Sequence, residues 1–358
     1  MTKLRLFNLD LHYSVIRDIK HILNDLYGDK VEVVDNALSY YPWAPRGSYN
    51  YNPTDVINGD TWNYINTDMI NRFVERYRDL LQTFDGFIVT HSPVFCLLYE
   101  TFNKPIILIN SCRYEQPFSF KNNIDMWNYL NVKLKEMHDK KQLVVVSNNK
   151  ADQYYLEQGT GIVSQTIPSL CLYTKSTYMP IYNKYIINTN HNIPETDTVV
   201  NKRSCLPTGY KWQELYSYKG IIHMPYEIST MSLFEHYSAN VPLFFPSKTY
   251  LTHLLRHNNY NMWTRYTRLQ IHSAHPPQLD VCLNDNTWID FWINKADFYD
   301  EENMKHIVYF DSNEHLFELL NTVDTNDISS KMKEHNISRK NAVYDSWKRI
   351  FGETFGVN

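Results

Sequence analysis

Three short runs constrain this fold more than any other feature: DGFIVTHS (85–92), KPIILINS (104–111) and QLVVVSNN (142–149). Each is nearly all apolar and too short to be read as an amphipathic helix. Two further runs, LRLFNLDLH (4–12) and KVEVVDNAL (30–38), precede them. Between the runs lie segments with helical spacing. Ile16, Ile19, Leu23 and Leu26 share one face and end at Gly28. Ile70, Phe73, Tyr77, Leu80 and Phe84 mark a helix over 68–84, and Trp127, Leu130, Leu134 and Met137 mark a third. Apolar strands alternating with helices predict a parallel sheet covered on both faces. A tract rich in Pro, Gly, Asn and Tyr (41–67) interrupts the alternation. It reads as a long loop, and loops of that length in compact domains are often functional.

The chain has 358 residues, enough for two domains. A second alternation follows in KYIINTN (184–190), GIIHMPY (220–226), VPLFFPS (241–247) and HIVYFDS (306–312), and a long polar helix runs from Asp327 through NAVYDSWKRIF. The stretch 159–180 reads as the passage between domains. The fold expected is α/β, with two Rossmann-like domains facing a cleft. An N-terminal domain covers 1–165, a C-terminal domain 166–335, and a terminal helix, 336–358, packs back on the first domain.

Several classes are disfavoured. The net charge of −4 argues against broad electrostatic binding to nucleic acid. Five scattered cysteines form no C-x-x-C pair, which predicts neither a disulfide framework nor a zinc site and fits a reducing compartment. The opening MTKLRLFNLDLHY is interrupted by Asn8 and Asp10 and does not read as a signal peptide. No segment approaches the roughly 20 apolar residues of a membrane span, so a soluble, cytoplasmic protein is expected. G-x-G-x-x-G and Walker A runs are absent, and no D-x-D follows a strand. His272 and His275 lie close together but have no evident third ligand.

The residues that suggest chemistry lie in KGIIHMPYEISTMSLFEHYSANVPLFFPS (219–247). In open α/β sheets, ligands gather outside the carboxyl ends of the strands. His223, Glu227, Ser229, Thr230 and Ser232 fall at such an edge. A helix starting near Thr230 or Ser232 offers free N–H groups and a positive dipole end to a phosphate. Glu235, one turn further in, can accept two ribose hydroxyls, and Glu227 can face another polyol. Ser232-x-x-Glu235 also reads as a capping box with no ligand.

This stretch resembles the donor-binding signature of GT-B glycosyltransferases. A strand is followed by E-x7-E from Glu227 to Glu235, a small-residue helix, then Val241-Pro242 and an apolar strand into Pro246. The pair of glutamates is similar to that of retaining members, and SLFEHYSANVP is similar to inverting ones, so the stereochemistry stays open. The resemblance implies transfer of a sugar from a nucleotide-diphosphate donor to a glycan or other hydroxyl acceptor. Glu235 would bind the ribose and Glu227 the transferred sugar. Ser229, Thr230 and Ser232 would line the diphosphate with His223 nearby. A cation is expected there, since the leaving diphosphate gains charge; Lys202, Arg203 and Lys211 are the candidates. Strand ends of the first domain supply Asp10, His12 and His91 as candidate catalytic groups, with Arg113 and Glu115 on the acceptor side. No cofactor or essential metal is expected. A sugar-nucleotide epimerase of the same fold, or a non-catalytic glycan- or nucleotide-binding protein, would carry similar features.

Overall fold

The structure is a computed structural model, and it describes residues 3–40, 49–188, 193–257, 260, 262 and 287–357. Among these the chain divides into two compact units. One runs to Ser169 and takes up the chain again at Tyr344; the other lies between Leu170 and Val343.

The first unit is built on six parallel strands: β1 (Leu4–Asp10), β2 (Val31–Ala37), β3 (Gly86–Val89), β4 (Ile106–Asn110), β5 (Leu143–Ser147) and β6 (Gln165–Thr166), ordered β2-β1-β3-β4-β5-β6. The central strands are apolar on both faces because both faces are covered. Phe87, Ile88 and Val89 are fully buried, as are Ile106, Ile107 and Leu108. Burying each such side chain contributes about 1.5–3 kcal/mol. The helix Ser14–Tyr27 buries Ile16, Ile19 and Leu23 and stops at Gly28, whose φ of 55° lies in the region open to glycine. The next helix spans Thr67–Leu81, capped by Asn66, whose side chain accepts from the Met69 N–H. It ends three residues short of the expected Phe84, because Thr83 turns back to bond the Leu80 carbonyl through both its N–H and its hydroxyl.

The second unit holds five parallel strands: β7 (Tyr182–Ile187), β8 (Val199–Asn201), β9 (Tyr218–Ile222), β10 (Leu243–Pro246) and β11 (Val308–Phe310), ordered β11-β10-β9-β7-β8. β8 is not among the strands expected from the sequence; it has three residues and polar flanks. Its core gathers Tyr185, Ile187, Val199, Ile222, Phe244 and Phe310. At Gly220 a Cβ would meet the Phe244 ring and the Pro242 carbonyl, so only glycine allows β9 and β10 to pack this closely.

The last helix, Thr325–Phe355, is continuous for 31 residues. From Tyr344 onward it belongs to the first unit, where Trp347, Ile350 and Phe351 are buried. There the Tyr344 hydroxyl donates to Asp25 at 2.7 Å, and the Phe351 ring lies 5.8 Å from that of Tyr27. Phe355 covers Gly86 of β3 closely enough to exclude a Cβ there. Among the described residues, no helix is long and apolar enough to cross a membrane.

Candidate functional site

In the second unit the chain leaves β7 for β8 on one side, then returns to form β9 on the other. That reversal makes the carboxyl ends of β7 and β9 the switch point of the sheet, the place where α/β sheets bind ligands. Asn188 follows β7 and His223 follows β9. The Asn188 Oδ1 accepts from Lys202 Nζ at 2.6 Å, so its amide nitrogen is the group that faces His223 Nδ1 at 3.1 Å. His223 Nδ1 therefore accepts, and the proton of the neutral ring sits on Nε2. The ring is buried and stacks on Phe245 with centroids 4.8 Å apart. Burial, followed by the nearby Lys202 charge, pushes the His223 pKa down to about 3.

Lys202 opens the short helix that follows β8 and is half-buried. Its pKa is lowered by burial and then by Arg203, while Glu235 acts in the opposite sense. Its ammonium lies 5.6 Å from the centre of the Tyr210 ring. Among the described residues no carboxylate forms a direct ion pair with it. Arg203 and Lys211, the other expected cations, are exposed. Their backbone N–H groups bond Asn201 Oδ1 at 2.9 Å and Glu214 Oε2 at 2.6 Å, which makes both part of local helix starts.

The helix Met231–Ser238 begins at the same edge. Its cap is Thr230, whose Oγ1 accepts from Leu233 N at 3.4 Å and lies 3.2 Å from Ser232 Oγ. The capping box Ser232-x-x-Glu235 does not form, because the helix starts before Ser232 and Glu235 points elsewhere. Glu235 accepts from the Tyr173 hydroxyl at 2.5 Å and from Trp212 Nε1 at 3.1 Å. Two aromatic donors from distant segments thus orient the carboxylate. Glu227 is half-buried on the loop before the helix, beside exposed Tyr226; burial raises that phenol's pKa, and the Glu227 and Glu235 charges add to the effect. Ser229 follows Ile228, which is fully buried and whose carbonyl accepts from Asp297 N at 3.2 Å. The edge therefore assembles Lys202, His223, Glu235 and the Thr230–Ser232 helix start.

The first unit has its own reversal, between β1 and β3. Asp10 ends β1 and is buried. Its Oδ1 accepts from His12 N at 2.8 Å and His91 N at 3.2 Å, and its Oδ2 accepts from the Thr90 hydroxyl. Burial raises its pKa well above the usual range, against the pull of these N–H donors. Asp10 is thus a brace beneath the edge. It holds His12 and His91, whose rings meet edge to face at 4.4 Å. His12 keeps solvent access, yet the protein packed around it lowers its pKa. His91 is pushed well below its usual value, first by burial, then by His12 and Arg113. Arg113 is half-buried. Glu115 is 1% exposed, which puts it under the surface, and burial raises its pKa to about 7.

Sequence reasoning did not single out Asn188, Tyr173 or Trp212. Asn188, a polar residue ending an apolar strand, carried a signal; the two aromatics carried none. Among the described residues no group of three or more His, Cys, Asp or Glu could hold a metal ion; His272 and His275 lie outside those residues.

No protein-family model matches the sequence, and no curated protein matches it. Solved structures similar to the chain include the glycosyltransferase SnogD from Streptomyces nogalater (8% identity, 97% of this chain and 100% of that one, TM-score 0.46). Spinosyn forosaminyltransferase SpnP is similar too (9%, 97% and 99%, 0.47). So is UDP-N-acetylglucosamine 2-epimerase from Rickettsia bellii (10%, 99% and 99%, 0.35). At these identities and scores the likenesses say nothing by themselves of activity.

Proposed function

We propose that the chain is a glycosyltransferase that moves a sugar from a nucleoside-diphosphate donor to a hydroxyl acceptor. The observation that carries this is the edge of the second unit. Lys202, fixed through Asn188 to a neutral buried His223, stands with an oriented Glu235 and a helix start. A half-buried ammonium and a helix N-terminus suit the diphosphate. A carboxylate offers about four lone-pair sites, so one held by two aromatic donors suits the diol of a ribose. The resemblance of the Glu227–Glu235 segment to a donor-binding signature supports the same assignment, with Glu227 toward the transferred sugar and Ser229 beside the phosphates. Lys202 is the cation of this site; Arg203 and Lys211 are peripheral to it.

In the first unit His12 is the accessible candidate for accepting the acceptor's proton. His91 and the Asp10 brace hold it, while Arg113 and Glu115 shape the charge around them. Because Lys202 and the helix dipole meet the diphosphate charge, turnover is expected to survive exhaustive dialysis against a chelator.

The test is nucleoside-diphosphate release from a panel of nucleotide sugars, with and without acceptors. Acceptor-dependent release supports transfer. Acceptor-independent interconversion of the donor sugar would replace transfer with epimerisation. No release, and no rise in melting temperature with any nucleoside diphosphate, would overturn the proposal.

A further inference from the structure

The described part of the segment between β2 and the Thr67–Leu81 helix is firmly held. The Asn58 Oδ1 accepts from Asp60 N at 2.9 Å and Thr61 N at 3.1 Å. Thr61 Oγ1 accepts from Asn58 N at 2.9 Å and donates to the Val56 carbonyl at 3.1 Å. Gly59 N bonds the Leu38 carbonyl, which ties the turn to the end of β2, and Ile57 and Ile65 bury the two sides of the turn. This rigid turn presents large rings outward. Trp62 is half-buried with its centroid 6.2 Å from that of His91, and among the described residues nothing accepts its indole N–H. Tyr64 is 63% exposed, with Lys121 Nζ 4.7 Å from its ring centre.

We propose that Trp62 and Tyr64, beside the His12–His91 pair and Lys121, form a shelf for a pyranose ring of a glycan. In the reaction proposed above the glycan would be the acceptor; that role rests on the transferase reading, whereas the binding does not. An aromatic ring with a polar edge matches a sugar, which has an apolar C–H face and a rim of hydroxyls. The imidazoles, the indole N–H and the ammonium supply hydrogen bonds for that rim. A wholly apolar acceptor would want a pocket lined by aliphatic side chains. Here the turn bears Asn58, Asp60 and Thr61, and a lysine caps the outer ring. The turn is already ordered by its own hydrogen bonds, so binding spends little on fixing it.

The experiment measures binding of tri- and tetrasaccharides of glucose, galactose, mannose and N-acetylglucosamine to the full chain. Calorimetry and tryptophan fluorescence provide the readouts, with 4-methylumbelliferone as a flat phenolic control. At least one saccharide should bind, and Trp62→Ala and Tyr64→Ala should each weaken it roughly tenfold. Tyr64 is exposed, so its variant keeps the wild-type melting temperature even if the Trp62 variant loses some stability. Binding of the phenol alone, or of no saccharide, would overturn the shelf; so would saccharide affinity unchanged in both variants. A nucleoside-diphosphate response without saccharide binding would remove the shelf and leave the transferase reading. Saccharide binding lost in the variants, with no nucleoside-diphosphate response, would remove the transferase reading and leave a glycan site.

Discussion

Replacing Lys202 by Met keeps the side-chain stem and removes the ammonium. In the protein this group donates to Asn188 Oδ1 at 2.6 Å, and its charge helps keep His223 neutral. A unit charge about 4 Å from a phosphate oxygen interacts by about 4 kcal/mol at an effective dielectric of about 20. Lys202 is only half-buried, so solvent screening and its own desolvation reduce this. A hydrogen bond to a charged group contributes about 1.5–3 kcal/mol, and about 2 kcal/mol corresponds to a roughly 30-fold weaker Kd for the nucleoside diphosphate. Folding should change by no more than about 1 kcal/mol, because losing the bond to Asn188 is offset by no longer desolvating a charge. Calorimetric titration of UDP, GDP and ADP into wild type, Lys202→Met and Lys211→Met is the assay. Lys211 is exposed and engaged in its own helix start, so its variant should bind as wild type does. Proton NMR should also show the His223 pKa moving upward in Lys202→Met, since one of the two causes of its depression is gone. Unchanged nucleotide affinity in Lys202→Met, with a normal melting temperature, would refute the placement of the diphosphate.

Three other outcomes follow from the structure. The folded pKa of Glu115, about 7, stands above the ordinary 4.5, so its contribution to stability is complete below pH 4.5 and is lost as pH rises through 7. Glu115→Gln should therefore gain on wild type by up to about 3 kcal/mol between pH 4.5 and pH 8 in urea titrations; a constant difference across that range would contradict the assignment. Gly159→Ala would drive a methyl into the Tyr114 hydroxyl, which is fully buried and accepts from Trp127 Nε1 at 3.0 Å. A loss of about 2–4 kcal/mol in denaturant melts is expected. Trp212→Phe removes a donor that orients Glu235, and should weaken nucleotide binding about three- to tenfold while leaving the Lys202 contribution intact. A double-mutant cycle with Lys202→Met reads the two effects as additive or coupled.

Most strands of both sheets were legible because a parallel sheet covered on both faces selects unbroken apolar runs such as Phe87–Val89 or Ile106–Ile109; β6, the polar pair Gln165–Thr166 inside the stretch read as the passage between domains, was not. β8 was not, since Val199–Asn201 is three residues long and its place is fixed by pairing with Tyr185–Ile187, a non-local fact. At the site, the strand-to-helix turn was visible and the partners of its acids were not. Glu235 is fixed by residues 62 and 23 positions earlier in the chain, and no local pattern reports such distances. Its spacing from Ser232 suggested a cap, but Thr230 takes that place because its φ of −145° is extended, whereas Ser232 is already helical. Asp10 read as a catalytic acid from its position at a strand end. Its burial and its bond to the His91 N–H are non-local and were not legible there.

The terminal helix has a consequence for synthesis. The first unit owns the beginning of the chain and also its last residues, including Trp347, Phe351 and the Phe355 ring that closes over Gly86. A ribosome delivers β1 to β6 early, but the covering of β3 emerges only after the whole second unit has been made. The early product therefore waits with an apolar flank uncovered, the condition in which partly made proteins aggregate or recruit chaperones. Emergence of Trp347–Phe355, and not completion of the sixth strand, is the moment at which the first unit can close.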